Sequence, residues 1–272
     1  MNALVTGSGG FIGRHLTARL KDEGFNVTPL PREMLFQTKL LPVFIRKHKP
    51  DYIFHLAAYG NHFNQRDASM VIYTNIVGTF NLMASASITP YYLLFNFSSS
   101  SVELPYQTFY AASKAAGEKL GMAYNSVYKK PIISIRPHTV IGVGDAATHL
   151  LPTLIRAAHT GERIPFDPKP HHDYIAVDDL CEALLTIMQA PPDEDFFPII
   201  PIGSGKSHSN QEVKEIVEYV TGRDIKVEET QGLRPYDSTN WVADTSIMRH
   251  FGFLPKRNLK SVIEEMNQAY GK

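Results

Sequence analysis

The chain has 272 residues, of which 43% are hydrophobic, and its 27 basic and 27 acidic side chains give a formal net charge of zero. This length suits one large or two small domains, and the balanced charge disfavours nucleic acid or an anionic membrane as a partner. The single cysteine, Cys181, excludes an internal disulfide and a cysteine-based zinc cluster. No apolar run approaches the roughly 20 residues of a membrane span, and the strand-like start MNALVTG does not resemble a signal peptide. We therefore expect a cytoplasmic globular protein.

Strand-like and helix-like segments alternate over the first half of the chain. Short apolar, β-branched runs predict buried strands, and apolar residues at helical spacing predict the helices between them. Such alternation implies a parallel sheet with right-handed crossovers, hence an α/β fold of the doubly wound (Rossmann) type. The predicted strands are 2–6, 25–30, 52–56, 92–97 and 132–135, and the predicted helices are 11–23, 40–49, 68–87 and 109–128.

The alternation weakens after about residue 140, where proline and glycine become frequent. We expect a smaller and less regular C-terminal lobe there, with one return of the chain to the main domain. The predicted main domain comprises residues 1–140 and about 172–190. The predicted lobe comprises about 141–171 and 191–272.

A glycine-rich turn, TGSGGFIG over residues 6–13, connects the first predicted strand to the first predicted helix. Glycine lets the backbone approach a pyrophosphate, whose charge a helix N-terminus stabilises. A GxGxxG fingerprint starting at Gly7 needs glycine at position 12, where Ile12 stands, so Gly7, Gly10 and Gly13 form GxxGxxG instead. The turn predicts a dinucleotide site, and an ordinary strand–helix turn is the alternative.

Tyr110 and Lys114 lie four residues apart in a predicted helix, so both project from one face. An ammonium group beside a phenol favours the tyrosinate and lowers the tyrosine pKa from about 10. Such a tyrosine exchanges a proton with a substrate hydroxyl while a nicotinamide exchanges a hydride. Serines 98–101 follow a predicted strand, at the edge where α/β sheets bind ligands. Together these residues predict an oxidoreductase site, whereas a Tyr/Lys pair alone is more often a solvated helix face.

These motifs and several downstream segments resemble extended short-chain dehydrogenase/reductase proteins of the NAD-dependent epimerase/dehydratase type, which modify sugar nucleotides. The resemblance implies that the main domain binds the dinucleotide and that the lobe binds the substrate. It covers nearly the whole chain in order. It is carried by TGSGGFIG (6–13), PDYIFHLAA (50–58), NIVGT (75–79), FSSSS (97–101), YAASK (110–114), IRPHTVIGVGD (135–145), DYIAVDDL (173–180), GSGKSHSNQEV (203–213) and RPYDSTNWVAD (234–244).

The resemblance implies three catalytic residues. Tyr110 transfers the proton, Lys114 also holds the nicotinamide ribose, and a serine polarises the carbonyl. Counting back from Val102 selects Ser99, whereas alignment from Phe97 selects Ser100, and we favour Ser99.

The resemblance also implies binding residues. For the cofactor these are Gly7, Gly10, Phe11, Ile12, Gly13, Leu56, Ala57, Ala58, Asn75, Tyr110, Lys114 and Pro137. For the substrate they are Ser100, Thr139, His172 and Arg234. Thr139 and His172 replace an asparagine and an arginine that the family often has, which puts the substrate in doubt. Arg234 matches a phosphate-binding arginine, with an ordinary surface arginine as the alternative.

The end of the second strand bears on the choice of cofactor. An acidic residue there binds the ribose 2′-hydroxyl of NAD, but the matching place reads Leu30-Pro31-Arg32. Arg32 suits a 2′-phosphate, so NADP is preferred over NAD. A solvent-facing arginine is the alternative.

The resemblance narrows the reaction to two candidates. Dehydratases of the family carry an acidic residue directly after the catalytic serine or threonine, which this chain lacks. We predict reduction of a C4 keto group on a nucleotide-diphosphate sugar. An NAD-retaining 4-epimerase and a non-catalytic dinucleotide sensor are the alternatives. The family usually dimerises through the helices near 68–87 and 108–128, so we also expect a homodimer.

Other features have plainer interpretations. GSGKS (203–207) lacks the first glycine of a phosphate-binding loop, so we expect a turn before a helix capped by Ser209 or Asn210. The adjacent residues 171–173 (His-His-Asp) diverge in an extended segment, and no metal site is expected. Cys181 is predicted to be a small buried hydrophobe.

For this family the chain is short. Tyr110 follows Ser99 after only 11 positions, where relatives usually insert a longer loop over the substrate. The stretch from Pro31 to Lys49 is also compressed, so a third strand near Met34–Phe36 is expected to be vestigial or absent.

Overall fold

A computed structural model describes residues 1–61, 65–105, 107–189, 198–232 and 237–271. Its strands are β1 (Asn2–Thr6), β2 (Asn26–Leu30), β3 (Tyr52–His55), β4 (Leu93–Phe97), β5 (Ile132–Pro137), β6 (Thr139–Ile141), β7 (Ile164–Phe166), β8 (His171–Ala176), β9 (Ile199–Ile202), β10 (Ser207–Ser209) and β11 (Val227–Glu229). Its α-helices are α1 (Phe11–Asp22), α2 (Leu41–His48), α3 (Ala68–Ile72), α4 (Gly78–Ala86), α5 (Phe109–Tyr128), α6 (Leu150–Thr160), α7 (Val177–Gln189), α8 (Asn210–Thr221), α9 (Ser246–His250) and α10 (Leu259–Ala269).

The largest sheet has the strand order β2-β1-β3-β4-β5-β9. The neighbours from β2 to β5 run parallel, and β1 pairs with β2 on one side and β3 on the other. This reversal of order beside β1 is the topological switch point of a doubly wound sheet. The predicted fold class is therefore confirmed, and the strand and helix limits predicted for this region agree with the structure within two residues.

The central strands lack the alternation of a half-exposed sheet because they are buried on both faces. Every residue of β4 is buried, as the sequence predicts from its apolar run. Phe54 of β3 stacks on Phe95 of β4 with ring centres 4.9 Å apart. This packing fixes the positions at which the strands end, and hence the positions of the side chains that follow them.

Two segments near the sheet edge deviate from a regular pattern. Residues Arg32–Phe36 form a 3₁₀ helix rather than a strand, which confirms that the third strand expected of longer relatives is absent here. The single predicted helix over 68–87 is interrupted by a π-helical turn, Tyr73–Val77, between α3 and α4. Such turns are rare and occur frequently at functional sites.

The contacts divide the chain into two units. The first comprises residues 1–103, 107–137 and 184–200, and the second comprises 104–106, 138–183 and 201–272. The sequence assigns 172–190 to the main domain, whereas residues 172–183 make their contacts in the second unit. The predicted domain limits stay a prediction.

The described residues of the second unit form small sheets, the helices α6, α8, α9 and α10, and the first part of α7. β8 lies between β10, which is antiparallel to it, and β6, which is parallel, while β11 pairs with β7. Ser209 caps α8 through a capping box with Glu212, which confirms the predicted turn and cap. Apolar residues of α6, α8 and α10 share a core, including Leu154, Val213 and Ile263.

Two further expectations concern burial. Cys181 of α7 is 2% exposed, as expected for a small buried hydrophobe. Within the described ranges, no helix combines the length and the apolar character that crossing a membrane requires.

Candidate active site

The glycine spacing in the turn after β1 follows from close packing. Gly7 has a φ of +67°, and a Cβ atom there would lie 2.8 Å from the backbone nitrogen of Ala57. A Cβ atom on Gly13 would lie 2.1 Å from the Gly7 carbonyl oxygen, whereas one on Gly9 would meet nothing within 4 Å. Positions 7 and 13 therefore require glycine, and position 9 does not.

The first turn of α1 has the features of an anion site. Its N-cap, Gly10, makes no side-chain hydrogen bond, and the first turn contains no acidic residue. Amide groups at the start of a helix lack partners within the helix, and the helix dipole adds a partial positive charge. Gly10, Phe11, Ile12 and Gly13 thus lie where a phosphate group is stabilised.

A buried histidine connects this turn to the neighbouring strand and helix. The backbone nitrogen of Ala57 donates to the Thr6 hydroxyl at 3.0 Å, and that hydroxyl lies 2.8 Å from His55 Nδ1. His55 Nε2 lies 2.9 Å from the Thr79 hydroxyl, which donates to the Asn75 carbonyl oxygen at 2.6 Å. Because Asn75 receives the Thr79 proton, His55 donates through Nε2 and accepts from Thr6 through Nδ1. Leu56 and Ala58 flank Ala57 at this edge of the sheet.

Asn75 fixes the segment that follows β3. Its side-chain oxygen accepts from the Tyr59 backbone nitrogen and its side-chain nitrogen donates to the Tyr59 carbonyl oxygen, both at 2.8 Å. The same side-chain nitrogen donates to the Ser113 hydroxyl on α5 at 2.9 Å. Gly60, at a φ of +101°, brings this segment against Tyr110, whose ring lies 3.5 Å from the place of a Cβ atom. Asn75 therefore lies in a hydrogen-bond network beside Tyr110, and its role toward a cofactor stays a prediction.

Ser99, Tyr110 and Lys114 come together at the carboxyl end of β4. The half-buried Ser99 hydroxyl lies near enough to the Tyr110 phenol to lower its pKa, and it is 2.9 Å from the Ser101 hydroxyl. Lys114 is 7% exposed; its Nζ donates to the Phe97 carbonyl oxygen at 2.5 Å and lies 5.7 Å from the centre of the Tyr110 ring. Ser100 is buried at the start of a 3₁₀ helix. The geometry therefore brings Ser99, rather than Ser100, to the phenol.

The protonation of the phenol differs from the sequence expectation. Burial raises the pKa of Tyr110 to about 12, and the hydrogen bond with Ser99 offsets only part of this rise. The sequence predicts a Tyr110 pKa lowered from about 10, whereas here burial dominates and the net pKa is raised, with the Lys114 ammonium group donating to the Phe97 carbonyl oxygen. Tyr110 is consequently a protonated phenol at neutral pH.

An ion-pair network lies one helical turn beyond Lys114. Burial lowers the pKa of Lys114 to about 8, and the Glu118 carboxylate opposes that change. Glu118 accepts from the Ser98 hydroxyl at 2.6 Å and from two nitrogens of Arg136 at 2.7 Å. Arg136 also donates to Glu103 at 2.7 Å. The sequence reasoning missed this network, for which the spacing of four residues between Lys114 and Glu118 was the available signal.

Arg32 lies at the end of β2, next to the β1 edge. Its guanidinium nitrogen donates to the Thr74 hydroxyl at 3.2 Å, and its central carbon lies 6.0 Å from the centre of the Tyr59 ring. The side chain is exposed but has specific neighbours, which differs from the alternative of an arginine that only faces solvent. Its role toward a 2′-phosphate stays a prediction.

The remaining predicted cofactor and substrate residues lie in different units of the chain. Pro137, a predicted cofactor contact, ends β5 in the first unit, whereas Thr139 begins β6 and His172 lies in β8, both in the second unit. The His172 ring lies 5.2 Å from the ring of Trp241, centre to centre. Arg234 lies outside the described residues.

The GSGKS segment forms a turn around a buried carboxylate. The backbone nitrogens of Ser204 and Gly205 donate to Asp173 at 2.7 and 2.9 Å, so these amides are already used within the protein. Over the described ranges, no group of three or more histidine, cysteine or acidic side chains is arranged to bind a metal ion.

A parallel sheet with a glycine turn and a Ser–Tyr–Lys cluster at its carboxyl edge defines a Rossmann-type α/β protein. A model of the NAD dependent epimerase/dehydratase family matches residues 3–203. The chain belongs to the NAD-dependent epimerase/dehydratase family.

Several known proteins are similar to this chain. A probable UDP-glucuronate 4-epimerase from Rhizobium meliloti is 28% identical over an alignment of 239 residues, and the match covers 72% of this chain and 70% of that protein. The fold matches that of a UDP-glucose 4-epimerase from Thermotoga maritima with UDP-glucose, with a TM-score of 0.89, 20% identity and coverage of 99% and 98% of the two chains. It also matches a GDP-mannoheptose C4 reductase from Campylobacter jejuni with NADP bound, with a TM-score of 0.86, 21% identity and coverage of 100% and 98%.

Proposed function

We propose that this protein is an NADP-preferring oxidoreductase that reduces the C4 keto group of a nucleotide-diphosphate sugar. The observation that carries the proposal is the cluster of Ser99, Tyr110 and Lys114 at the carboxyl end of β4, with the Lys114 ammonium group 5.7 Å from the centre of the Tyr110 ring. A protonated phenol is the form that reduction of a ketone needs, because the new alkoxide oxygen must receive a proton. The family assignment agrees with this class of chemistry.

The residues at the sheet edge fit a dinucleotide. The uncapped start of α1 suits a pyrophosphate, and the close packing at Gly7 and Gly13 leaves no side chain in the turn. In this proposal Gly7, Gly10, Phe11, Ile12 and Gly13 contact the pyrophosphate. Leu56, Ala57 and Ala58 line the ribose and adenine, and Asn75, Tyr110, Lys114 and Pro137 lie toward the nicotinamide. When bound, the reduced nicotinamide supplies the hydride that the carbonyl carbon accepts.

Each side chain of the Ser99–Tyr110–Lys114 cluster has its own role in the reaction. Tyr110 donates its phenolic proton to the developing alkoxide, and Ser99 donates a hydrogen bond that polarises the carbonyl oxygen. The Lys114 ammonium group stabilises the tyrosinate left behind and holds the nicotinamide ribose. The Glu118 carboxylate, which is ion-paired with Arg136, opposes the loss of the Lys114 proton.

Preference for NADP rests on the end of β2. Leu30 and Pro31 provide no carboxylate for a ribose 2′-hydroxyl, and Arg32 provides a cation. The GDP-mannoheptose reductase with the same fold has NADP bound, which agrees with this proposal.

A 4-epimerase is the second candidate. The Rhizobium relative and the Thermotoga structure carry that name. An epimerase returns its hydride to the substrate and retains NAD, whereas the end of β2 lacks the carboxylate that binds the ribose of NAD. This difference favours reduction.

The proposal extends to the rest of the molecule. The second unit binds the nucleotide sugar, with Thr139, His172 and Arg234 as contacts, and Ser100 stays a predicted substrate residue. A homodimer forms through α3, α4, α5 and the π-helical turn between α3 and α4, which together expose Ile72, Tyr73, Val77, Phe80 and Phe109. Such an apolar face is typical of an interface. The protein acts in the cytoplasm.

The test begins with the cofactor. The purified protein is denatured, any released nucleotide is identified, and consumption of NADPH and NADH is then measured with a panel of nucleotide-diphosphate 4-keto sugars. We expect no stoichiometric NAD and faster oxidation of NADPH than of NADH with at least one substrate. Stoichiometric NAD together with interconversion of C4 epimers would establish the epimerase instead. Dinucleotide binding without turnover of any substrate would favour a non-catalytic sensor.

A further inference from the structure

Arg32 is held in place before any ligand arrives. One guanidinium nitrogen donates to the Thr74 hydroxyl, and the guanidinium carbon lies within cation–π distance of the Tyr59 ring. In the described part of the chain no carboxylate pairs with Arg32. Its positive charge is therefore oriented but not neutralised, and Thr74 uses only one of its N–H donors.

The two residues that hold Arg32 are themselves fixed by the π-helical turn. Thr74 and Asn75 are consecutive in this turn and are 1% and 2% exposed. Thr74 contacts Arg32 directly, while Asn75 binds both the backbone nitrogen and the carbonyl oxygen of Tyr59. A π turn contains one residue more than an α-helical turn, which changes the directions of the side chains around the helix axis. Thr74 and Asn75, which are neighbours in sequence, therefore both make contacts at this edge of the sheet.

The position of Arg32 indicates which ligand group it meets. It follows the carboxyl end of β2, and β1, the next strand in the sheet, leads into the glycine turn. In doubly wound sheets a dinucleotide that binds such a turn places its adenosine ribose at the end of the second strand. A planar, fixed guanidinium is suited to two oxygens of a phosphate monoester.

We propose that Thr74 and Tyr59 are specificity-determining residues that hold Arg32 ready for the 2′-phosphate on an adenosine ribose. The proposal rests on the preference for NADP under the proposed function. It adds that this preference depends on two residues that carry no positive charge.

The test uses two fragments that differ only in the phosphate concerned, 2′,5′-ADP and 5′-AMP, with calorimetry on the full-length protein. We expect the wild type to bind 2′,5′-ADP at least about tenfold more tightly, since a bidentate arginine–phosphate contact is charge-assisted. Thr74→Val should weaken binding of 2′,5′-ADP about three- to tenfold, and Tyr59→Leu about threefold. Neither should change the affinity for 5′-AMP.

Two control variants separate this role from a general effect on the fold. Thr17→Val removes a buried hydroxyl that has no hydrogen-bond partner among the described residues, and it should leave the affinity ratio unchanged. Arg32→Lys keeps the charge at an exposed site but loses the planar fork, and it should lower the ratio as Thr74→Val does. Tyr59→Leu keeps the proposal testable if Thr74→Val fails to fold, because it removes the other neighbour of Arg32.

The outcomes are distinct. If the wild type prefers 2′,5′-ADP and both Thr74→Val and Tyr59→Leu keep that preference, the role of Thr74 and Tyr59 is refuted while the preference for NADP stands. If the wild type binds the two fragments equally, both the role of these residues and the preference for NADP are refuted. The reduction itself is measured separately by turnover. A lower ratio in both variants, with 5′-AMP binding unchanged, supports the proposal.

Discussion

The two units of this protein hold their buried polar groups in different ways. In the first unit the parallel ladder supports the backbone, and polar side chains at its carboxyl edge contact one another, as Ser99 contacts Tyr110 and Arg136 contacts Glu118. In the second unit, where the sheets are small, buried carboxylates instead accept hydrogen bonds from distant backbone amides.

Three aspartates of the second unit show this arrangement. Asp167 accepts from the backbone nitrogen of Gly232 at 2.7 Å. Asp173 accepts from Ser204, Gly205 and Ala243, and Asp179 accepts from the backbone nitrogens of Lys256 and Arg257. Each carboxylate thus ties an irregular segment to the strand and helix region 164–189.

We interpret this difference as a division between proton transfer in the first unit and stabilisation of loops in the second. The side chains that gather in the first unit have titratable groups with strongly shifted pKa values, which marks them as candidates for proton transfer. The aspartates of the second unit use their lone pairs on backbone amides, so we assign them to the stability of the loops. Three experiments test this division, beginning with the largest expected effect.

Tyr110→Phe tests the chemistry of the first unit. It removes the proton donor and should lower kcat by roughly 10²–10⁴-fold, the usual contribution of general acid catalysis. Cofactor affinity and the melting temperature should change little, since only one hydroxyl is lost. Tyr219→Phe, at a 73% exposed ring of the second unit, is the matched control and should retain full turnover. Turnover that survives in Tyr110→Phe would refute the assignment.

Asp173→Ala tests whether a buried carboxylate stabilises the loops of the second unit. It leaves the amides of Ser204, Gly205 and Ala243 without their acceptor and should lower the free energy of unfolding by about 3 kcal/mol, measured by denaturant titration. Asp178→Ala removes a 54% exposed carboxylate that pairs with Arg257, and it should cost less than about 1 kcal/mol. Equal losses in the two variants would contradict the supporting role of Asp173.

His55 adds a smaller effect that depends on pH. Burial, and to a lesser extent the Lys114 charge, lower the pKa of His55 to about 3, whereas the unfolded chain binds a proton near pH 6.5. Below pH 6.5 the unfolded state therefore binds the extra proton and the folded state does not. The free energy of unfolding should fall by about 1.4 kcal/mol per pH unit from this group.

The measurement is denaturant unfolding at pH 7.5, 6.5 and 5.5. His55→Gln should be less stable at pH 7.5, because it disturbs the contacts with Thr6 and Thr79, but its stability should depend less on pH. His250→Gln, at an exposed position, should keep the wild-type slope. A wild-type slope in His55→Gln would show that another group titrates.

Much of the first unit could be predicted from the sequence because its signals are local. The positions of Gly7 and Gly13 follow from a turn between one strand and one helix, and the pairing of Tyr110 with Lys114 follows from helical spacing. The second unit was harder to predict because its organising contacts, such as Asp173 with Ala243, join residues far apart in the chain.

The family, the doubly wound sheet and the residues predicted at its edge follow from the sequence alone, since these depend on periodicity and short motifs. The raised pKa of Tyr110, the interaction of its phenol with Ser99, and the π turn that brings Thr74 to Arg32 become visible only in the folded chain. The physical reason is that a pKa depends on how much water and charge surround a group. A turn of π helix likewise depends on packing between elements, and no local pattern of residues encodes either one.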